Sequence, residues 1–214
     1  MLIIFDLDGT LIDSSKDLAL SMNAARGHVG MEPIDPSLIF SYVGNGAAVL
    51  VRRALGPDVP EELVQEALVF FLKFYRVHAL EHTRLYPDVR ELIEQLTQAD
   101  HKLAVLTNKP ARISFDIMGA LGLAGHFVSV LGGDSLPAKK PDPLGITTLL
   151  AETGFSAAGT LMVGDSGVDI QTARNAGVRS CGVLWGFQPE SFQLEPPDTV
   201  ISEPQELLRV VQPA

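Results

Sequence analysis

Short apolar runs alternate with amphipathic stretches along most of this chain. The runs at 2–6, 103–107, 128–131, 161–165, 180–184 and 199–201 have the length of buried strands. Between them the apolar positions change to helical spacing. Val89, Leu92, Ile93 and Leu96 recur at i, i+3, i+4 and i+7 behind Pro87-Asp88, and residues 111–121 and 143–152 behave likewise. The stretch 167–177 ends on Gly177, as a helix C-cap should. Strand and helix in regular succession predict an α/β fold, with a Rossmann-like parallel sheet covered on both faces.

One segment breaks the rhythm. From about 14 to 86 no strand pattern occurs, and residues 15–26, 45–55 and 61–80 read as helices. This predicts an all-helical domain, residues 14–85, inserted into a discontinuous core made of 1–13 and 86–214. The aromatic residues of its last helix, Phe70, Phe71, Phe74 and Tyr75, read as that domain's own core. The proline-rich stretch 188–197 reads as a surface loop before the final strand.

Composition narrows the function. A chain of 214 residues, 46% hydrophobic and 20% charged, has enough apolar content for a sizeable core. Its formal net charge of −10 argues against a nucleic-acid partner, yet Lys109, Lys139 and Lys140 could still hold a small anion locally. No apolar stretch reaches the length of a membrane span, and the first is interrupted by Asp6, so it reads as a strand and not a signal peptide. A single cysteine, Cys181, can form no internal disulfide. That fits a reducing compartment, the cytoplasm, and an inert core thiol.

The candidate chemistry gathers at the carboxyl ends of the predicted strands. Asp6 and Asp8 end the first, on one face because strand side chains alternate. Two carboxylates so placed suit a hard cation, with Mg2+ matched to carboxylate oxygens, or, taken alone, a strand end followed by a D-G turn and a pair of solvated acids. Thr107-Asn108-Lys109 end the second run, and Asp165 ends the fourth, with Asp169 four residues on. In open α/β sheets the site lies along that edge, so distant residues become neighbours. Taken singly, each has a plainer reading: Thr107 as a strand-end hydroxyl, Lys139 and Lys140 as a solvated pair, Asp169 as a helix cap. Ser14 reads as the start of the insertion and Asp134 as a turn residue, and the five histidines show no ligand spacing.

Together, Asp6-Leu-Asp8-Gly-Thr10-Leu-Ile-Asp-Ser, the Thr107 hydroxyl, Lys140-Pro-Asp-Pro and Gly164-Asp165-Ser-Gly-Val-Asp169 resemble the four motifs of the haloacid dehalogenase-like hydrolase superfamily. The helical insertion stands where that superfamily's phosphatases carry a cap. The resemblance implies that Asp6 is the nucleophile and forms an aspartyl-phosphate. It implies Mg2+ held by Asp6, the Asp8 carbonyl and Asp165, with Asp169 either a ligand or a support for bound waters. Asp8 would serve as acid and then base, Thr107 and the Asn108 amide would hold phosphoryl oxygens, and Lys140, or failing it Lys139, would neutralise charge.

Asp8 separates the phosphatases from dehalogenases and from the C–P bond-cleaving branch, neither of which needs an acid there. Tyr42-Val-Gly44-Asn45-Gly46, Val51-Arg52-Arg53-Ala-Leu-Gly56, Gly132-Gly133-Asp134 and Val183-Leu-Trp185-Gly186 resemble the phosphoglycolate phosphatase branch. That resemblance implies a small phosphorylated metabolite, 2-phosphoglycolate, with Gly44, Asn45 and Gly46 near its non-phosphate end. An interhelical turn is the alternative reading of those glycines. A β-phosphoglucomutase-like transferase and another small-molecule phosphatase share the motifs; a silent phosphate-binding domain would be expected to lack one.

Overall fold

The structure, a computed structural model, describes residues 1–212. Six strands form one sheet: β1 (Leu2–Phe5), β4 (Lys102–Leu106), β5 (Phe127–Leu131), β6 (Thr160–Gly164), β7 (Arg179–Val183) and β8 (Thr199–Ile201). Their order is β5-β4-β1-β6-β7-β8, and every pair is parallel. Alternation along each strand feeds two cores. Ile3 and Phe5 of β1 join the larger one with Leu103 and Val105 of β4, while Leu2 and Ile4 join the other with Ala104 and Leu106. The first face is covered by α5 (Val89–Gln98) and α6 (Ala111–Ala120), the second by α7 (Leu144–Thr153) and α8 (Gly167–Ala176). This is the Rossmann-like α/β core expected from the pattern.

Between β1 and α5 the chain forms α1 (Ser15–His28), α2 (Pro36–Phe40), α3 (Ala47–Leu55) and α4 (Glu61–His78). These four helices pack mainly on one another. Two elements here are absent from the sequence reading. One is the short α2, started by Asp35, whose side chain accepts from Ser37 N at 2.8 Å. The other is a two-stranded antiparallel ribbon of β2 (Ile12–Asp13) and β3 (Arg84–Leu85), which joins the helical unit to the sheet. Strands of two residues carry no periodic signal. Buried Asp17 of α1 secures the join: its carboxylate accepts from His82 N, Thr83 N and Thr83 Oγ1 at 2.8–3.0 Å.

The predicted loop at 188–197 is more ordered than expected. Residues Pro189–Gln193 make a 3-10 turn that buries Phe192 against β7, where Gly182 leaves room for the ring. Ser191 Oγ accepts from Gly167 N at 2.7 Å and so satisfies the first amide of α8. A final short helix, α9 (Leu207–Val210), follows β8. Among the described residues no helix is long and apolar enough to cross a membrane.

Candidate active site

Each strand stops one residue before the group of interest. β1 ends at Phe5 and releases Asp6, β4 ends at Leu106 before Thr107, and β6 ends at Gly164 before Asp165. Adjacency of these three strands brings residues a hundred apart to one edge. Asp169 arrives from the first turn of α8, where its Oδ2 accepts from Ser166 N and Oγ at 3.1 and 2.7 Å. The helix-cap reading of Asp169 is therefore real, and its other oxygen remains available to the site.

Asp6, Asp165 and Asp169 each offer an oxygen within 4.8 Å of the others, and all three are buried. One ammonium faces them: Lys140 Nζ lies 2.9 Å from Asp6 Oδ1 and 2.6 Å from Asp169 Oδ1. Lys140, not Lys139, occupies the position between the carboxylates. Lys139 donates instead to the Asn45 carbonyl at 2.9 Å. Burial pushes Asp6 up to about 6, against the pull of Lys140, and raises Asp165 well above the usual carboxylate range, with Asp169 and Asp6 adding repulsion. Burial alone would strip Lys140 of its proton, but Asp169 and Asp6 outweigh it and hold the group above its ordinary value.

Three buried carboxylates face one ammonium, and the upward shifts of Asp6 and Asp165 register burial first and then the excess of negative groups. Asp6 Oδ1 is buried, with Lys140 as its ion-pair partner at 2.9 Å. An all-oxygen donor set with that excess of negative groups fits a hard divalent cation. The backbone is drawn tight around it. A Cβ on Gly9, which has φ +80°, would fall 2.1 Å from Asp165 Oδ2, and one on Gly186 would fall 2.2 Å from Asp165 Cβ.

Asp8 takes a different environment from Asp6. Lys109 Nζ donates to its two oxygens at 2.8 and 2.9 Å, and Ser14 Oγ donates at 2.5 Å. Ser14 thus does more than begin the helical segment. Lys109, one of the cations considered for a phosphate, is engaged here by Asp8 and by Tyr75 Oη at 2.5 Å. Tyr75 also corrects the reading of the aromatic helix as core alone: its ring is buried, but its hydroxyl belongs to the site. A small cavity of about 40 Å³ lies between the units. Asp6, Asp8, Thr107, Asn108 and Lys109 form its floor, and Gly44, Gly46, Leu50, Phe71 and Tyr75 stand among the residues above.

Asn108 spans this boundary. Its Nδ2 donates to Gly44 O at 2.8 Å and to Lys140 O at 3.0 Å, tying the two units and the lysine loop together. Thr107, also buried, accepts from Lys109 N at 3.3 Å. Gly44 and Gly46 reach the cavity, whereas the Asn45 side chain turns away and accepts from Arg53 at 3.1 Å. Asp134 accepts from Ala111 N at the start of α6, in keeping with a turn role.

The segment Trp185–Gln188 was not foreseen as part of the site beyond its resemblance. Trp185 Nε1 donates to Thr10 O at 3.1 Å, and Phe187 N donates to Asp165 Oδ2 at 2.7 Å. Gln188 Nε2 then reaches Phe40 O, Ser41 O and Val43 O at 3.3, 3.2 and 2.7 Å. One strap therefore holds the first loop, an acidic residue of the site and the helical unit. No local pattern announces such a residue, since its partners are backbone carbonyls far away in sequence.

The haloacid dehalogenase-like hydrolase family model matches residues 3–183. The phosphoglycolate phosphatase of Vibrio vulnificus strain CMCP6 is 41% identical over 217 residues, covering 98% of this chain and 95% of that protein. The phosphoglycolate phosphatase of Neisseria gonorrhoeae is 38% identical, covering 98% and 92%. The crystal structure of a predicted phosphoglycolate phosphatase from Haemophilus somnus 129PT aligns with a TM-score of 0.93 at 35% identity, over 99% of this chain and 97% of that one. Fold, motif order and near full-length similarity agree: the chain belongs to the haloacid dehalogenase-like hydrolase family, as one of its phosphatases.

Proposed function

We propose that the chain is a Mg2+-dependent phosphomonoesterase that works through an aspartyl-phosphate on Asp6 and hydrolyses 2-phosphoglycolate to glycolate and phosphate. The observation that carries the chemistry is the cluster of Asp6, Asp165 and Asp169 around Lys140, with Asp8 at the adjoining cavity. The substrate rests on the names of the relatives and on the small volume of the cavity. Residues 14–85 act as a cap over a core of 1–13 and 86–214. The protein works in the cytoplasm, in keeping with a lone buried cysteine whose thiol burial pushes up to about 12.

In the first step an Asp6 oxygen attacks phosphorus, a P–O bond to Asp6 forms, and the bond to the glycolate oxygen breaks. Asp8 gives its proton to that departing oxygen. In the second step water attacks phosphorus, the bond to Asp6 breaks, and Asp8 takes the proton that the water releases. Lys140 offsets charge beside the nucleophile, while Thr107 and the Asn108 amide hold phosphoryl oxygens. Asp6, Asp165, the Asp8 carbonyl and Asp169, directly or through water, would hold Mg2+, which would supply charge screening between carboxylate and phosphate. Gly44, Asn45 and Gly46 form the loop that meets the carboxylate end, with Gly44 and Gly46 in the cavity wall.

The test is phosphate release from a panel of small monoesters, with Mg2+ and with EDTA. A Mg2+-dependent kcat/KM highest for 2-phosphoglycolate is expected. A flat profile would remove the substrate assignment and keep the chemistry. Asp6→Asn should abolish turnover with the fold retained, and near wild-type activity in that variant would sink the covalent mechanism.

A further inference from the structure

Tyr75 lies on α4 with 1% of its surface exposed, and its ring stacks on Phe71 at 5.5 Å. A tyrosine buried for packing alone has no need of a charged neighbour. Here the hydroxyl meets the Lys109 ammonium at 2.5 Å, and that ammonium also lies 4.5 Å from the ring centroid. The ammonium reaches Asp8 Oδ1 and Oδ2 at 2.8 and 2.9 Å. An ammonium has three N–H donors; here it turns toward the Asp8 carboxylate on one side and the Tyr75 phenol on the other. Both partners of Lys109 are protein groups, and it bridges Asp8 to Tyr75.

We propose that Tyr75 is a positioning residue for Asp8: the phenol fixes the Lys109 ammonium, and Lys109 in turn fixes both carboxyl oxygens of Asp8. The inference rests on the reading of Asp8 as the acid–base group. A lysine side chain carries about 2 kcal/mol of rotamer entropy on a flexible four-carbon stem. With Asp8 as its only partner, the pair could move together. A second anchor on a packed helix removes that freedom. Burial also keeps the phenol neutral, up at about 12, so it accepts from the ammonium without competing as an anion.

The anchor has a further consequence, because Tyr75 belongs to the helical unit while Lys109 and Asp8 belong to the sheet. The three meet only while the two units are apposed. Proton transfer is thereby made conditional on closure, when the cavity excludes bulk water.

The experiment compares kcat/KM for an alkyl ester, 2-phosphoglycolate, with that for p-nitrophenyl phosphate. This constant covers the steps up to aspartyl-phosphate formation, in which an alkoxide needs a proton and p-nitrophenolate does not. Tyr75→Phe deletes one oxygen and keeps the ring. It should lower the alkyl value about ten-fold, a fraction of the ~10²–10⁴ that acid–base catalysis supplies, and leave the aryl value within about two-fold. Lys109→Met should split the two esters in the same direction. In an Asp8→Asn background, Tyr75→Phe should cost nothing further, since both act on one group. Equal losses on both esters in Tyr75→Phe and Lys109→Met, or no loss in either, would overturn the proposal and leave Tyr75 a packing residue. If Asp8→Asn itself lowers both esters equally, the acid role of Asp8 fails and the proposal with it. A split in Asp8→Asn without one in Tyr75→Phe refutes the positioning role alone.

Discussion

Replacing Lys140 by Met removes the one ammonium among the three carboxylates while keeping much of the side chain's length. The Lys140 side chain is 1% exposed, with its Nζ 2.9 Å from Asp6 and 2.6 Å from Asp169. At an effective dielectric of about 20, each contact carries roughly 6 kcal/mol of Coulomb attraction. Desolvation of the ions cancels much of this, and removing one partner of a buried pair nets a loss of about 3–5 kcal/mol. For a chain of this size the loss lowers Tm by on the order of 10 °C. The assay is a pair of thermal melts at pH 8, with EDTA and with saturating Mg2+, for wild type and Lys140→Met. Mg2+ should stabilise the variant more than the wild type, because the three carboxylates then have no ammonium to offset their charge or to repel the cation. Turnover should still fall about 10²–10³-fold, since the fixed charge beside Asp6, the proposed nucleophile, is gone. A metal-free loss below about 1 kcal/mol, or equal stabilisation of both proteins by Mg2+, would refute this account of the charge balance.

Other consequences are open to measurement. Asp6 sits at about 6 when folded against 3.8 unfolded. The metal-free fold therefore binds the extra proton, and stability falls as pH rises through 6. From pH 5 to 7 this amounts to about 1 kcal/mol, visible as the difference in pH dependence between wild type and Asp6→Asn, and Mg2+ should flatten it. Gln188→Ala removes the amide that reaches three carbonyls of the helical unit. It should lower kcat/KM by about five- to ten-fold, on the scale of one to two hydrogen bonds, with little change in Tm. Gly46→Val places a Cβ 3.0 Å from Lys139 Nζ and 3.1 Å from Asn108 O at a φ of +88°. Steady-state kinetics should show a greater loss on 2-phosphoglycolate than on p-nitrophenyl phosphate, because the strain falls on the wall facing the substrate's far end.

Much of this protein is legible in one dimension because its strands and helices repeat with different periods. The continuous apolar runs at 2–6, 103–107 and 161–165, set between helical stretches, announce a buried parallel sheet, and the position of Asp6, Thr107 and Asp165 at the ends of those runs places chemistry on one edge. The Lys140-Pro141 pair marks the matching lysine in the sequence, and the structure sets its ammonium between Asp6 and Asp169. The ribbon of β2 and β3 was hidden because two residues cannot display a period. Tyr75 read as core because burial and helical spacing look the same whether a hydroxyl ends in a void or on an ammonium. Gln188 looked like loop because its partners are carbonyls some 145 residues earlier, and a backbone carbonyl leaves no mark in the side-chain sequence. Local periodicity and residue chemistry thus determined the architecture and the candidate groups gathered at its edge. Which groups hold those in place depends on long-range contacts between the helical unit and the sheet, and only packing in three dimensions decides them.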